Sequence, residues 1–326
     1  LKGLMETEAT YFIDAGDAFF KNPYVVQSKR EKLTATAEAI LQSYNIMGCQ
    51  VMNIGMNDLA AGYDFIEKLQ DQADFPFISA NIMQVNTEKL LFAESAIIRT
   101  QAKTLGFVGV TIGDKRLKEF TFSDPVEAAN RAVAALRDKV DLVFLLANVD
   151  DRTETTLTKE VAGIDFLIRS KTGSMYRNPK EKNDVVIIRN GKQGKYAGAL
   201  KITQVDKVSK LKNVSAQRTR IKFTDNRLQA LSRDLEVGQT LEERYAEDEK
   251  RLQLIKRLQK EKQDNMELIK TLKNSYFYEP IPLNDKVEDA PEVAEIVADY
   301  MPKKNKTSTK DQAKAALKEK QAPRIK

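Results

Sequence analysis

A chain of 326 residues, 42% hydrophobic and 31% charged, has room for one large or two moderate domains and the make-up of a soluble, core-forming protein. It carries one cysteine and no histidine. That excludes an internal disulfide, a thiolate zinc site, haem attachment, imidazole metal ligands and Ser-His or Cys-His catalysis. The net charge of +6 is concentrated at one end, because residues 302–326 hold nine basic and two acidic side chains and leave the rest close to neutral.

From residue 11 to 204, short apolar runs alternate with amphipathic stretches, the pattern of a layered α/β domain. TYFIDAGD reads as a strand entering a polar turn, and SKREKLTATAEAILQSYN as a helix with Leu33, Ala37, Ile40, Leu41 and Tyr44 at helical spacing. CQVMNIG is a strand whose Cys49 reads as a small buried hydrophobe. LAAGYDFIEKLQDQA is a helix, and FPFISANI and LGFVGVTI are strands. DPVEAANRAVAALRDK is a helix capped by Asp124 with Pro125 at its first position. VDLVFLLAN, IDFLIRSKTG, DVVIIRNG and KYAGALKITQV are further strands. The turn GKQGK lacks the spacing of a phosphate loop. RTRIKFT is predicted to be the closing strand, ending a domain at 1–223.

Residues 224–300 change character, with one glycine, Gly238, between Asn226 and Ser275. Two helices are expected, one over 226–236 and one of roughly 35 residues from Leu241, started by a Thr240–Glu243 capping box. A heptad seam through Leu241, Tyr245, Leu252, Ile255, Met266 and Ile269 is interrupted at Asp248, Gln259, Lys262 and Lys273. The segment therefore reads as a helical arm, either a hairpin or a coiled coil. YFYEPIPL is a return strand or loop, and APEVAEIVADYM a last amphipathic helix. Residues 301–326 read as a solvated lysine-rich tail, capable at most of weak contact with an acidic surface and without aromatics to read bases.

YFIDAGDAFF, NIGMNDLAAGYDFI, FPFISANI, LGFVGVTI, DLVFLLANVDD, GIDFLIRSKTG and VIIRNGKQGKYAGALKI resemble, in order and spacing, the catalytic domain of the 5'-nucleotidase branch of the calcineurin-like metallophosphoesterases. The resemblance spans about the first 205 residues. It implies a four-layer αββα sandwich with a two-metal site at the strand ends, where the cations polarise a phosphoryl group and generate hydroxide.

Carried over position by position, the resemblance implies a dismantled site. Asp17 matches the metal-bridging aspartate. The Gly-Asn-His-Glu/Asp motif becomes Gly55, Met56, Asn57 and Asp58. A histidine ligand becomes Asn148, and the closing Gly-His-x-His motif becomes Ser170, Lys171, Thr172 and Gly173. The opening Asp-x-His motif has no counterpart. A thioether and a glycine do not replace hard or imidazole ligands, and Lys171 is expected to pair with Asp17 as an internal counter-ion.

The expected function is a non-catalytic scaffold or interaction protein without cofactor, periplasmic or extracellular as the family's export implies. It engages a protein partner or a second copy through residues 226–300, with neither nucleic acid nor a transmembrane segment involved. Two alternatives stand beside it. One is a phosphoesterase with a rebuilt carboxylate-only metal site drawn from Asp14, Asp17, Asp58, Asp150 and Asp151. The other is a nucleotide or small-ligand binder without catalysis.

Overall fold

Phe107, Phe144 and Phe166 occupy facing register positions on three adjacent parallel strands. Successive rings stack with centroids 5.0 Å apart, and Tyr276 closes the row edge-on to Phe166 at 5.7 Å. Side chains alternate across a strand, so the next residues, Val108 and Leu145, point the other way into a second core. This two-sided burial explains why LGFVGVTI and VDLVFLLAN are apolar throughout rather than alternating.

The computed structural model describes residues 10–87, 89–171, 173–204, 206 and 209–300. Thr172 and the lysine-rich tail lie outside the described residues. In chain order the strands are β1 (Phe12–Asp14), β2 (Cys49–Asn53), β3 (Phe77–Ile78), β4 (Ile82–Gln84), β5 (Ser95–Arg99), β6 (Thr104–Thr111), β7 (Phe120–Phe122), β8 (Leu142–Asn148), β9 (Phe166–Arg169), β10 (Lys180–Lys182), β11 (Val185–Arg189), β12 (Tyr196–Gln204), β13 (Lys212–Asn213) and β14 (Asn274–Pro282). The helices are α1 (Arg30–Ile46), α2 (Tyr63–Asp71), α3 (Pro125–Arg137), α4 (Asp151–Glu160), α5 (Ser215–Leu231), α6 (Leu241–Arg244), α7 (Glu249–Thr271) and α8 (Pro291–Tyr300).

A six-stranded sheet runs β10-β11-β9-β8-β6-β5, parallel at its centre and antiparallel at both edges. Its outer face is covered by α3 and α4 through Ala132, Val133 and Leu157. Its inner face packs through Phe107, Phe144 and Phe166 on two three-stranded sheets, β1-β2-β3 and β12-β14-β13, which contribute Val51, Ile78, Tyr276 and Tyr278. The far side of β1-β2-β3 carries α1 and α2, with Leu41, Met52, Ile66 and Phe77 in that core. The result is the four-layer αββα arrangement.

Several elements differ from expectation beyond residue 150. RTRIKFT is not a strand but part of α5. Its period-2 look comes from Ile221 and Phe223, yet Phe223 is half exposed while Thr224 is buried, with its hydroxyl bonded to the carbonyls of Arg220 and Ile221. Packing against α7 and β14 overrides the weak strand propensity. The helix expected over 226–236 thus starts at Ser215 and stops at Leu231. The roughly 35-residue helix is two: the Thr240–Glu243 capping box forms, but α6 ends after one turn and Asp248, a residue that interrupted the seam, caps α7 by accepting from Arg251 N.

The 223/224 division falls inside α5. The expected return strand, β14, pairs with β12 along nine residues, so the segment after α7 rejoins the sandwich. Helix α4 was missed, since its threonines have low helix propensity and its start is set by the Asp150 cap.

Candidate functional site

Strands β1 and β2 run parallel, as do β8 and β9, and the loops leaving their C-terminal ends meet across the two layers. Such strand ends are where open α/β sheets place functional groups. Asn148, the last residue of β8, is fully buried. Its Oδ1 accepts from Met56 N at 3.1 Å and its Nδ2 donates to Ser170 Oγ at 2.8 Å. Ser170 Oγ in turn donates to Ala15 O at 2.7 Å. One amide therefore joins the loops after β2 and β9, and through Ser170 the loop after β1.

Asp58, also fully buried, accepts three backbone N–H groups, from Asp17 (2.8 Å), Gly55 (2.8 Å) and Phe19 (2.9 Å). Burial, reinforced by the nearby Asp17 carboxylate, still holds its carboxyl well above the usual range. Asp17 sits in the left-handed region at φ 66° and accepts Asn57 N at 2.7 Å. Burial raises its carboxyl, against the hydrogen bonds from Asn148 and Asn57 and the charge of Lys171. Asn57 donates its side-chain amide to Lys21 O at 3.2 Å, and its Oδ1 is buried without a hydrogen-bond partner.

Gly55 is required here by close approach: a methyl group would lie 2.5 Å from both Asp17 N and Asp17 Oδ1 and 2.9 Å from Asn148 Nδ2. The expected Lys171–Asp17 ion pair does not form. Lys171, also left-handed at φ 48°, is exposed and places its Nζ 3.6 Å from Met56 Sδ. Its charge acts at longer range, partly opposing the burial that raises Asp17 and adding a minor share to the lowering that Arg116 produces at Asp114 and Thr153 N–H at Asp150. Gly173 faces open space and takes no part in the cluster.

The remaining carboxylates are committed elsewhere. Asp14 accepts Gly16 N at 2.7 Å and Tyr44 Oη at 2.9 Å, and burial raises its carboxyl. Asp150 accepts Thr153 N at 2.8 Å, a bond that lowers its carboxyl. Asp151 bridges Arg169 and Arg189.

No family model matches the chain. It is 28% identical over 122 residues to a 5'-nucleotidase of Vibrio parahaemolyticus, covering 35% of this chain and 22% of the relative. It is 26% identical over 161 residues to a 2',3'-cyclic-nucleotide 2'-phosphodiesterase/3'-nucleotidase of Salmonella typhimurium, covering 44% and 25%. The chain is thus similar in sequence to 5'-nucleotidases over part of its length, and it shares the fold of the calcineurin-like phosphoesterases. The fold is that of the calcineurin-like phosphoesterase YfkN of Bacillus subtilis (TM-score 0.51, 18% identity, 63% of this chain and 75% of that one). It is also that of the sulfate thiohydrolase SoxB of Thermus thermophilus (TM-score 0.53, 20% identity, 62% and 38%). This phosphoesterase-like chain spans about a quarter or less of the length of the two curated relatives.

The metal pair implied by the resemblance does not fit the donors of this phosphoesterase-like domain. Among the described residues no group of three or more His, Cys, Asp or Glu side chains is arranged to hold a metal ion. The absence of such a group also counts against the carboxylate-only site, as does the engagement of Asp14, Asp58, Asp150 and Asp151 by donors of their own.

Sequence reasoning missed two features. Arg169 and Arg189, buried at 4% and 8% side-chain exposure, share the buried Glu154 carboxylate. The only trace is that FLIR and VVIIR, two apolar strands, both end in arginine. The second is a polar seam between the sheets, in which Asn53 Nδ2 donates to Ala15 O and Val110 O and Thr111 Oγ1 donates to Ile54 O.

Proposed function

We propose that the chain is a non-catalytic phosphoesterase-fold scaffold in an extracytoplasmic assembly, engaging a protein partner or a second copy through the helical region 226–300. The observation that carries this reading is that the polar groups at the strand ends bond one another: Asp58 accepts from the backbone N–H groups of Asp17, Gly55 and Phe19, and Asn148 bonds Met56 N and Ser170 Oγ. The extracytoplasmic part is supported by the family resemblance, and among the described residues no helix is long and apolar enough to cross a membrane. The relatives' names favour a second reading, retained phosphoesterase activity.

One experiment separates the two: metal content of the purified protein, with hydrolysis of a generic phosphodiester and of AMP under added Mn²⁺, Mg²⁺ and Zn²⁺. The scaffold reading expects no stoichiometric metal and no turnover. Turnover that disappears in Asp17→Ala would establish an enzyme, whereas AMP binding without turnover would favour a ligand binder.

A further inference from the structure

We infer that the cluster centred on Asn148 is a metal-independent clasp, which fastens the six-stranded sheet to the β1-β2-β3 sheet and gives the strand-end face one fixed shape. Asn148 and Ser170 belong to the first sheet and bond each other, while Met56, Asp17 and Ala15 belong to loops of the second and each bonds one of that pair across the layers. The crossing continues below through Asn53 and Thr111, both fully buried.

Buried polar groups in such a seam are costly when unpaired and specific in geometry when paired. Asn148 and Thr111 each both donate and accept in the seam, bonds that a slipped register would break, while Asn53 Oδ1 is left without a hydrogen-bond partner. Asn148 both accepts from Met56 N and donates to Ser170 Oγ, so one register satisfies it. Asp58 ties the backbone of the β1 loop to that of the β2 loop through three N–H bonds, which presents Asp17 and Met56 as a preformed half of the clasp. The two left-handed residues, Asp17 and Lys171, flank it. Backbone strain of that kind persists where the surroundings over-determine it.

The inference rests on the metal-free part of the proposed function, but its test reads stability rather than turnover. Urea unfolding of the full chain is measured for the parent, Asn148→Ala, Ser170→Ala and the double variant, each with and without EDTA. The clasp expects each single variant to lower the folding constant by about 10- to 100-fold, the cost of leaving a buried partner unsatisfied. The double variant should cost clearly less than the product of the two, since both remove one network. EDTA should leave every midpoint unchanged.

Amide exchange provides a local readout: Met56 N–H should lose protection in Asn148→Ala and keep it in Ser170→Ala. Multiplicative effects, or an EDTA-sensitive parent midpoint, would overturn the clasp. If Asn148→Ala does not fold, Ser170→Ala and Thr111→Val carry the same comparison, with Thr111→Val expected to show the same non-multiplicative coupling to Ser170→Ala. Turnover by a protein with EDTA-insensitive, coupled stability would reject the non-catalytic reading and leave the clasp standing.

Discussion

Arg169 and Arg189 are register partners on adjacent parallel strands, and both guanidinium groups hold the carboxylate of Glu154, at 3.3 and 2.6 Å. Two buried like charges side by side are tolerated because Glu154 and Asp151, one turn apart on α4, offset them. The two acids are not equivalent: the Glu154 side chain is 7% exposed and that of Asp151 is 78% exposed.

Glu154→Ala should therefore cost about 3–5 kcal/mol of folding stability, the range for breaking a buried pair and leaving its partner uncompensated. Asp151→Ala should cost about 1 kcal/mol or less, because water replaces an exposed carboxylate. Urea midpoints measure both, and equal costs or the reverse order would contradict the assignment.

Gly55 and Gly173 make a matched pair of substitutions. Gly55→Ala forces a methyl into contact with the Asp17 backbone and should cost about 1–3 kcal/mol or more, whereas Gly173→Ala meets nothing within 4 Å and should stay within about 0.5 kcal/mol. Thermal unfolding of the two variants decides it.

Burial raises the carboxyls of Asp14, Asp17 and Asp58. An acid raised in the folded state binds its proton more tightly there, so its stabilising contribution is complete below the ordinary carboxylate value of about 4 and is lost as pH rises through the folded value. Stability should consequently rise on acidification from neutrality toward about pH 5, before the lowered carboxyls of Asp150 and Asp151 begin to reverse it near their unfolded value of about 4. In Asp14→Asn, where the amide oxygen can still accept from Gly16 N, that slope should flatten in a pH series of urea midpoints. An unchanged slope would show that Asp14 is not a contributor.

The thiol of Cys49 is buried and pushed up to about 12, chiefly by loss of hydration. At about pH 8 only on the order of one thiol in 10⁴ is then ionised. A maleimide should leave the native protein unmodified and label it stoichiometrically in denaturant, so the labelling rate in water reports unfolding. Rapid native labelling would place Cys49 at a mobile surface.

The alternation of apolar runs and helical spacings in residues 11–204 was enough to place eight strands, β1–β3, β6, β8, β9, β11 and β12, because each segment's periodicity is a local property of the chain, but it left out the short or edge strands β4, β5, β7 and β10. Asp124 and Thr240 announced their caps in the same way, since a cap is a contact within four residues. The missing histidines ruled out imidazole ligation by residue identity alone.

What the sequence did not contain is the set of distances between segments. Ser170 and Ala15 are 155 positions apart, and only the packing of two sheets brings them together. The fate of Lys171 was decided by the left-handed turn that aims it at Met56 rather than at Asp17. Residues 215–223 became a helix, and 274–282 a core strand, because their partners, α7 and β12, are distant in the chain. Local propensity is weak where long-range packing sets the balance.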